Sequence, residues 1–271
     1  SIRPLVRIQR GGVFDCRFYG IFLAVPKHRW SMKKEYSVTY EQRQGPRSYQ
    51  EDRSFYGRIG SGWLLAVMDG HIGSSVAELC AKEIGDLFKL QDADHTEEAL
   101  RHLVSVLNKK TLRFREGSTL SVACVIDSKV SIAVLGDSPV VVLDDKGYLH
   151  VSPEHNARSN LKEREAAEKR GGAYENGYLY ARDGRGLQMS RALGDSHLEF
   201  ISHEPEVYTI LDPRWILLAS DGLIDPGHKE SERLLKEVKQ YAQKRATAED
   251  LMKWATSREL QDNATALVCA L

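Results

Sequence analysis

The sequence predicts an α+β fold in which packed antiparallel sheets are covered by helices. Strand-like segments follow one another in runs and helical segments come in pairs, whereas a parallel sheet would alternate strands with helices. Turn residues such as Asp, Ser, Lys and Gly separate the strands within a run. With 271 residues and 42% hydrophobic content, the chain can bury a substantial core as one large domain or two small ones.

The chain divides into two unequal parts. Residues 1–33 have no clear hydrophobic period, and we interpret them as an N-terminal extension of unknown role. Residues 34–271 form the predicted folded domain. That domain opens with the alternation of Tyr36, Val38 and Tyr40, which is typical of a strand with one buried face.

Hydrophobic spacing and turn residues predict the other elements in order. The further strands are expected over residues 54–59, 63–68, 119–126, 130–135, 140–143, 148–151, 207–211, 215–219 and 264–271. Helices are expected over residues 74–90, 96–114, 161–170, 230–242 and 248–257. Thr96 is the predicted N-cap of the second helix and Gly117 its predicted stop. The polar, glycine-containing residues 173–203 predict a surface excursion.

Composition argues against several classes of partner. The 38 basic and 38 acidic residues cancel, which is unlike a protein held to nucleic acid or an anionic membrane by its net charge. No apolar run approaches the roughly 20 residues that span a bilayer. The four scattered cysteines form no C-x-x-C pair, so neither a disulfide framework nor a zinc site is indicated. We therefore expect a monomeric protein of the cytoplasm.

Acidic residues stand where predicted strands end. The apolar run over 63–68 ends at Asp69, and the run over 215–219 leads into Asp221. A sheet that delivers carboxylates to one edge builds an oxygen-rich pocket for hard divalent cations. Without cations, such a cluster would repel itself. The pattern predicts a divalent metal site, and we interpret the chain as a metal-dependent hydrolase of phosphate esters.

The ordered set of motifs resembles the type 2C metal-dependent protein serine/threonine phosphatases (the PPM family). The resemblance covers roughly residues 35–271. It rests on the segments 47–52, 69–71, 117–119, 136–138, 190–195, 204–207, 219–222 and 262–263. The resemblance implies that residues 34–271 are a PPM-type catalytic domain. The implied fold is a central antiparallel β-sandwich flanked by pairs of antiparallel helices, in four layers αββα.

The resemblance also implies a set of metal ligands. They are Glu51, Asp69, Gly70, Asp137, Asp221, Asp225 and Asp262. Asp69 matches the carboxylate that bridges two metals, and the Gly70 carbonyl adds a ligand. Asp137 and Asp225 match positions that, with Asp221, hold a third metal in some members. An all-oxygen set suits Mg²⁺ or Mn²⁺, and the lack of clustered Cys or His argues against zinc.

Three further residues resemble the catalytic group of the family. Arg47 matches the residue that grips the substrate phosphate, since a guanidinium can take two phosphate oxygens at once. His71 matches the general acid for the leaving alkoxide, and Asp52 matches the carboxylate that orients the attacking water. The implied reaction is hydrolysis of phosphoserine and phosphothreonine in proteins, by direct attack of a water or hydroxide that bridges two divalent metals.

Two alternatives stay open from the sequence. The chain could be a pseudophosphatase that uses the fold as a regulatory binding module, although its ligand positions are all present. It could also act on a small phosphorylated metabolite, because the short segment between Asp195 and Glu204 predicts a trimmed flap. Ile72 stands where the family often has a second glycine, and Gln50 replaces a common methionine. Asp195 itself is expected to brace its glycine-containing turn.

Overall fold

Two five-stranded antiparallel sheets form the centre of the fold. The structure, a computed structural model, describes residues 36–89 and 94–271, so the predicted extension over 1–33 lies outside the described residues. In chain order the described strands are β1 (Ser37–Arg43), β2 (Arg53–Ile59), β3 (Gly62–Met68), β4 (Gly70–His71), β5 (Gly117–Ser118), β6 (Leu120–Ile126), β7 (Lys129–Leu135), β8 (Val140–Asp144), β9 (Leu149–Val151), β10 (Ala173–Glu175), β11 (Tyr178–Tyr180), β12 (Gly186–Leu187), β13 (Leu193–Gly194), β14 (Glu206–Leu211), β15 (Pro213–Ala219) and β16 (Ala264–Ala270). The described helices are α1 (Ser75–Leu87), α2 (Thr96–Thr111), α3 (Leu161–Lys169), α4 (Asp221–Ile224), α5 (Ser231–Gln243) and α6 (Ala248–Thr256). The large sheets have the strand orders β1-β16-β15-β8-β9 and β14-β7-β6-β3-β2.

The two sheets pack face to face because their strands alternate between two apolar environments. In β3, Leu65 and Val67 belong to the cluster between the sheets, whereas Leu64 and Met68 face the opposite side. In β15, Ile216 likewise joins the central cluster while its neighbours face outward. All these side chains are buried, so each sheet is covered on both faces. A sheet covered on both faces needs a further layer outside the sandwich.

Helices supply those outer layers. α1 and α2 share a buried cluster with one sheet, and α5 and α6 share another with the second sheet. The rings of Tyr241 and Trp254 lie 5.9 Å apart where α5 meets α6. The predicted four-layer α+β sandwich is therefore confirmed. Among the described residues, none of the helices is both long enough and apolar enough to cross a lipid bilayer.

Several predicted boundaries were wrong for local reasons. α2 ends at Thr111, not at residue 114, and Gly117 belongs to strand β5 instead of stopping the helix. Thr96 is the first residue of α2, with His95 before it as the N-cap. The short helix α4 was not predicted. Residues 173–203 are more ordered than a surface excursion, because β10–β12 pack with α3 around their own apolar cluster.

Strand register brings the acidic motifs to one end of the sandwich. Ala264, the first residue of β16, pairs with Arg43, the last of β1, and Ala266 pairs with Ala219, the last of β15. In the other sheet the first residue of β2 pairs with the last of β3. The residues just outside these strand ends therefore meet: the motifs at 47–52, 69–71, 220–222 and 262–263.

Candidate metal centre

One cleft at this end of the sandwich collects most of the predicted site residues. It is lined by Arg47, Glu51, Asp69, Gly70, His71, Asp137, Asp221 and Asp262. Asp52 is completely buried next to the cleft. Asp225 lines the adjoining cavity, where its Oδ2 accepts hydrogen bonds from the Glu230 N–H at 2.7 Å and the Ser231 hydroxyl at 2.8 Å. The structure thus gives the Asp225 carboxylate a role in holding the start of α5.

Asn263 fixes the loop that carries Arg47 and Glu51. Its side-chain amide donates to the carbonyls of Gln44 at 2.8 Å and Tyr49 at 3.1 Å, while its oxygen accepts the Glu51 N–H at 2.8 Å. One side chain therefore joins the loop after β1 to the residue before β16. The carboxyl group of Asp262 stands directly beside this junction.

Hydroxyl groups hold the Asp69 backbone in place. The Asp69 N–H donates to the Thr119 hydroxyl oxygen at 3.0 Å, and the Thr119 N–H donates back to the Asp69 carbonyl at 2.9 Å. The Thr119 hydroxyl also lies 2.7 Å from the Ser138 hydroxyl. This chain of contacts connects Asp69 to the turn that carries Asp137. Two carboxylates from different strands are therefore held at fixed positions.

Asp52 is anchored on one side only. Its Oδ2 accepts hydrogen bonds from Ser220 Oγ at 2.8 Å and Thr265 Oγ1 at 2.7 Å. Its Oδ1 is buried with no hydrogen-bond partner in the described part of the chain, and the same holds for Oε1 of Glu51. Buried carboxylate oxygens without partners are costly. They are the kind of group that a bound cation would satisfy.

Burial and mutual repulsion disfavour charge on the central carboxylates. Burial, then the charges of Asp52 and Asp221, raise the pKa of Asp69 well above its usual value. Burial and the charge of Asp137 raise the pKa of Asp221 to about 7. Burial also raises the pKa of Asp52 to about 6, despite its two hydroxyl donors. Divalent cations would reverse this preference because they stabilise the ionised form.

A histidine that the sequence did not indicate belongs to this group. His228, Asp137 and Asp221 each offer a ligand atom, and these atoms lie within 4.8 Å of one another. Asn156 Nδ2 donates to Asp137 Oδ2 at 2.8 Å and orients that carboxylate. Burial opposes the charged imidazolium, but the hydrogen bond that His228 donates to the Glu154 carboxylate and the charge of Asp137 raise the pKa of His228 to about 9. An isolated histidine after a Pro-Gly pair carries no sequence signal for such a role.

Arg47 brings a permanent positive charge to this cluster. Its guanidinium Nη2 lies 2.5 Å from Asp262 Oδ2. About half of the Arg47 side chain is exposed, so it can reach an incoming anion without a large rearrangement. A planar guanidinium binds two phosphate oxygens at once.

Ile72 is strained at the rim of the cleft. Its φ is +64°, a left-handed conformation that a β-branched residue rarely adopts, and 65% of the residue is exposed. We expect Ile72→Gly to raise the free energy of unfolding by about 1 kcal/mol, because glycine adopts this conformation without a Cβ clash and little packing is lost. Urea unfolding measures the difference. Ile72→Ala is the control, since it keeps the Cβ; equal stability of the two variants would contradict the strain.

Comparison with known proteins identifies the family. A family model described as Protein phosphatase 2C matches residues 36–264. The chain belongs to the protein phosphatase 2C family. The protein named probable protein phosphatase 2C 58 of Arabidopsis thaliana is 32% identical over 221 residues, which cover 76% of this chain and 75% of that protein. Probable protein phosphatase 2C 62 of Oryza sativa subsp. japonica is 29% identical over 224 residues, covering 76% of this chain and 74% of that protein.

Solved structures agree with the fold of the phosphatase 2C family. The structure described as serine-threonine phosphatase 2C from Toxoplasma gondii superposes with a TM-score of 0.67 at 18% identity, covering 87% of this chain and 94% of that one. The sequence-based family prediction is confirmed, and so is the prediction that the chain is a phosphoprotein phosphatase. Members of the phosphatase 2C family depend on metal ions and act on phosphorylated proteins, and the acidic cleft described above contains Asp137, Asp221 and His228, a group whose spacing could hold a metal ion.

Proposed function

We propose that this phosphatase hydrolyses phosphoserine and phosphothreonine in proteins with Mg²⁺ or Mn²⁺ as cofactor, and that residues 34–271 form its catalytic domain. The observation that carries the proposal is the group of partly buried carboxylates around Asp69 in one cleft, with Arg47 beside it. Oxygen ligands favour hard divalent cations, and a guanidinium favours a phosphoryl dianion. A cleft that offers both suits a phosphate ester.

The donor set fits two cations. As the family resemblance implies, the two cations would be held by Glu51, Asp69, the Gly70 carbonyl, Asp221 and Asp262. The unpartnered oxygen of Glu51 and the raised pKa values of Asp69 and Asp221 support this assignment. Two bound cations would supply Lewis acidity, which makes a hydroxide nucleophile available near neutral pH and screens the phosphoryl charge. A third cation would be held by Asp137 and Asp221, with His228 as the nearest additional donor. The family resemblance also places Asp225 at this third position, as the remaining candidate ligand.

The side chains of the protein then divide the remaining work. Arg47 would exchange its contact with Asp262 for the phosphate oxygens of the substrate. Asp52, held by Ser220 and Thr265, would accept a hydrogen bond from the attacking water through its free Oδ1. His71 would deliver a proton to the serine or threonine oxygen as it leaves. No covalent bond to the protein is needed.

A metal-substitution assay tests this function. We expect a phosphothreonine peptide to be hydrolysed with Mn²⁺ or Mg²⁺ and not after treatment with EDTA. Activity is expected to return when either metal is added in excess. Sugar phosphates run in parallel would reveal a metabolite phosphatase if they were hydrolysed faster than the peptide. A folded protein that bound Mn²⁺ yet hydrolysed neither substrate would favour a binding module instead.

The proposal extends to the setting of the enzyme. The enzyme would be a monomer in the cytoplasm. Its substrates there would be phosphorylated proteins. The balanced charge of 38 basic and 38 acidic residues supports recognition through the cleft over attraction by net charge. Size-exclusion chromatography with light scattering would measure the oligomeric state directly.

A further inference from the structure

His71 is in contact with a second carboxylate that lies outside the metal-binding set. Its Nε2 lies 2.7 Å from Oδ2 of Asp195. Asp195 is completely buried, and 16% of the His71 side chain is exposed. The other ring nitrogen, Nδ1, is itself buried and has no hydrogen-bond partner among the described residues. One ring nitrogen is therefore held by the protein, while the other is left without a partner in the described part of the chain.

A small three-stranded sheet builds this contact. Its strand order is β13-β5-β4, with Gly194 opposite Gly117 and Gly117 opposite His71. A Cβ atom at Gly117 would lie 2.0 Å from Asp195 Oδ2 and 2.3 Å from His71 Nε2. Only a glycine at this position leaves space for the carboxylate and the imidazole to meet. The family motif at 117–119 thus serves the contact as well as the Asp69 backbone.

The Asp195 side chain is not needed to brace its own turn. The backbone does that work: the Asp195 N–H donates to the Glu116 carbonyl at 3.1 Å, and the Leu198 N–H donates to the Asp195 carbonyl at 2.8 Å. The carboxyl group instead reaches His71, and its Oδ1 is buried without a hydrogen-bond partner among the described residues. The chain also holds Asp195 at a φ of +48°. A buried, half-satisfied carboxylate in a strained conformation costs stability, which points to a role beyond the turn.

We propose that Asp195 is a positioning residue that accepts the Nε2–H of His71 and so holds the imidazole with its buried Nδ1 unpartnered, as the nitrogen that the leaving oxygen of a bound substrate would satisfy. This inference rests on the proposed function, in which His71 is the general acid. A carboxylate behind a catalytic histidine fixes the tautomer and the orientation of its ring. In this proposal the backbone braces the turn, and the carboxyl group of Asp195 positions His71 instead.

The proton balance of the step is simple. The water oxygen forms a bond to phosphorus while the bond between phosphorus and the serine or threonine oxygen breaks, with its electron pair going to that oxygen. The proton on Nδ1 of His71 moves to the same oxygen and yields a neutral alcohol. His71 is left as neutral imidazole that still donates Nε2–H to Asp195. One proton of the attacking water stays on the oxygen that becomes part of hydrogen phosphate, and the other passes through solvent to Nδ1 of His71 and restores the imidazolium.

Leaving groups of different basicity separate positioning from structure. An alkoxide needs a proton in order to leave, whereas p-nitrophenolate leaves without one. We expect Asp195→Asn and Asp195→Ala to lower kcat on a phosphothreonine peptide by about tenfold to a hundredfold. We expect kcat on p-nitrophenyl phosphate to change by less than about threefold, with KM for the peptide nearly constant. The full chain with Mn²⁺ is used throughout.

Matched variants make the result decisive. Asp144→Asn alters another Asp–His contact, 3.0 Å from His150 and away from the cleft, and should leave both substrates unaffected. His71→Ala should reproduce the selective loss, and adding Asp195→Ala to it should cost little more. Selective loss in His71→Ala but none in the Asp195 variants overturns the inference and leaves the proposed function standing. If folded Asp195 variants lose the same fraction of kcat on the peptide and on p-nitrophenyl phosphate, the inference about Asp195 is also overturned. If His71→Ala shows no selective loss of kcat on the peptide, both the general-acid role of His71 and the positioning role of Asp195 are overturned.

Discussion

Asp221→Asn is expected to lower kcat on a phosphothreonine peptide by at least about a thousandfold, because an amide cannot supply the negative charge that a divalent cation requires. The side chain stands at the start of α4, directly after the buried strand β15. It lines the same cleft as Asp69 and Asp137 and offers a ligand atom within 4.8 Å of Asp137 and His228. If Asp221 is a ligand as proposed, the loss of this single carboxylate would affect both the two-cation site and the Asp137–His228 group.

The same substitution is expected to stabilise the metal-free protein. Burial and the charge of Asp137 oppose ionisation of Asp221, and asparagine removes the repulsion while keeping the shape. Activity on the peptide and thermal unfolding in EDTA measure the two effects. Asp145→Asn is the matched control, since that carboxylate is exposed at the β8–β9 turn. An active Asp221→Asn enzyme with normal metal occupancy would contradict the assignment of Asp221 as a ligand.

Removal of the metal is expected to make the free energy of unfolding fall as the pH rises from about 4 to 7, because of the carboxylates at this site. The pKa is raised to about 7 for Asp221 and about 6 for Asp52, whereas an unfolded chain has aspartate pKa values near about 4. The folded metal-free protein therefore binds more protons than the unfolded chain between about pH 4 and pH 7. The contribution of Asp221 and Asp52 to the free energy of unfolding is therefore at its full value below about pH 4. This contribution is lost as the pH rises through the folded-state pKa values of about 6 and about 7.

Calorimetry in EDTA between pH 5 and pH 8 measures this effect. We expect the Tm of the metal-free protein to fall by on the order of 5 °C across that range, since 1 kcal/mol shifts Tm by about 2–4 °C in a domain of this size. Saturating Mn²⁺ should abolish the fall, because it binds the ionised carboxylates and adds RT ln(1 + [metal]/Kd) to stability. The Asp221→Asn variant should show a smaller fall than the wild type. A Tm that rises with pH in EDTA would contradict the proposed repulsion.

The sequence predicted the layers because local periodicity is enough to define them. The alternation in β3 and β15 and the helical spacing in α5 and α6 are visible in the sequence, and burial follows from them. Boundaries failed where long-range contacts decide. Gly117 looks like a helix stop by composition, yet His71 and Asp195 require it for a reason that lies 46 or more positions away in the chain.

The candidate site also combines features that local sequence patterns predict with features that depend on long-range contacts. Asp69 and Asp221 follow apolar runs, so their position at a sheet edge can be deduced. The contact between His71 and Asp195 joins residues 124 positions apart, and no spacing rule connects them. His228 follows a Pro-Gly pair and comes near the carboxylates because Pro226 and His228 line the same cleft. Such contacts depend on register and loop geometry, which a single sequence does not encode in any period.

The pairing of β1 with β16 has a consequence for biosynthesis. The Glu51 N–H donates to Asn263, 212 positions further along the chain, and Asp262 stands beside that bond. During synthesis on the ribosome, the loop that carries Arg47 and Glu51 therefore cannot take its final position until residues 262–270 have been made. Any product of a premature stop codon before residue 262 lacks both the Asp262 carboxylate and the strand that holds the Arg47 loop. Truncated chains of this phosphatase would therefore have no phosphatase activity. Activity would begin only when almost all of the described domain has been translated.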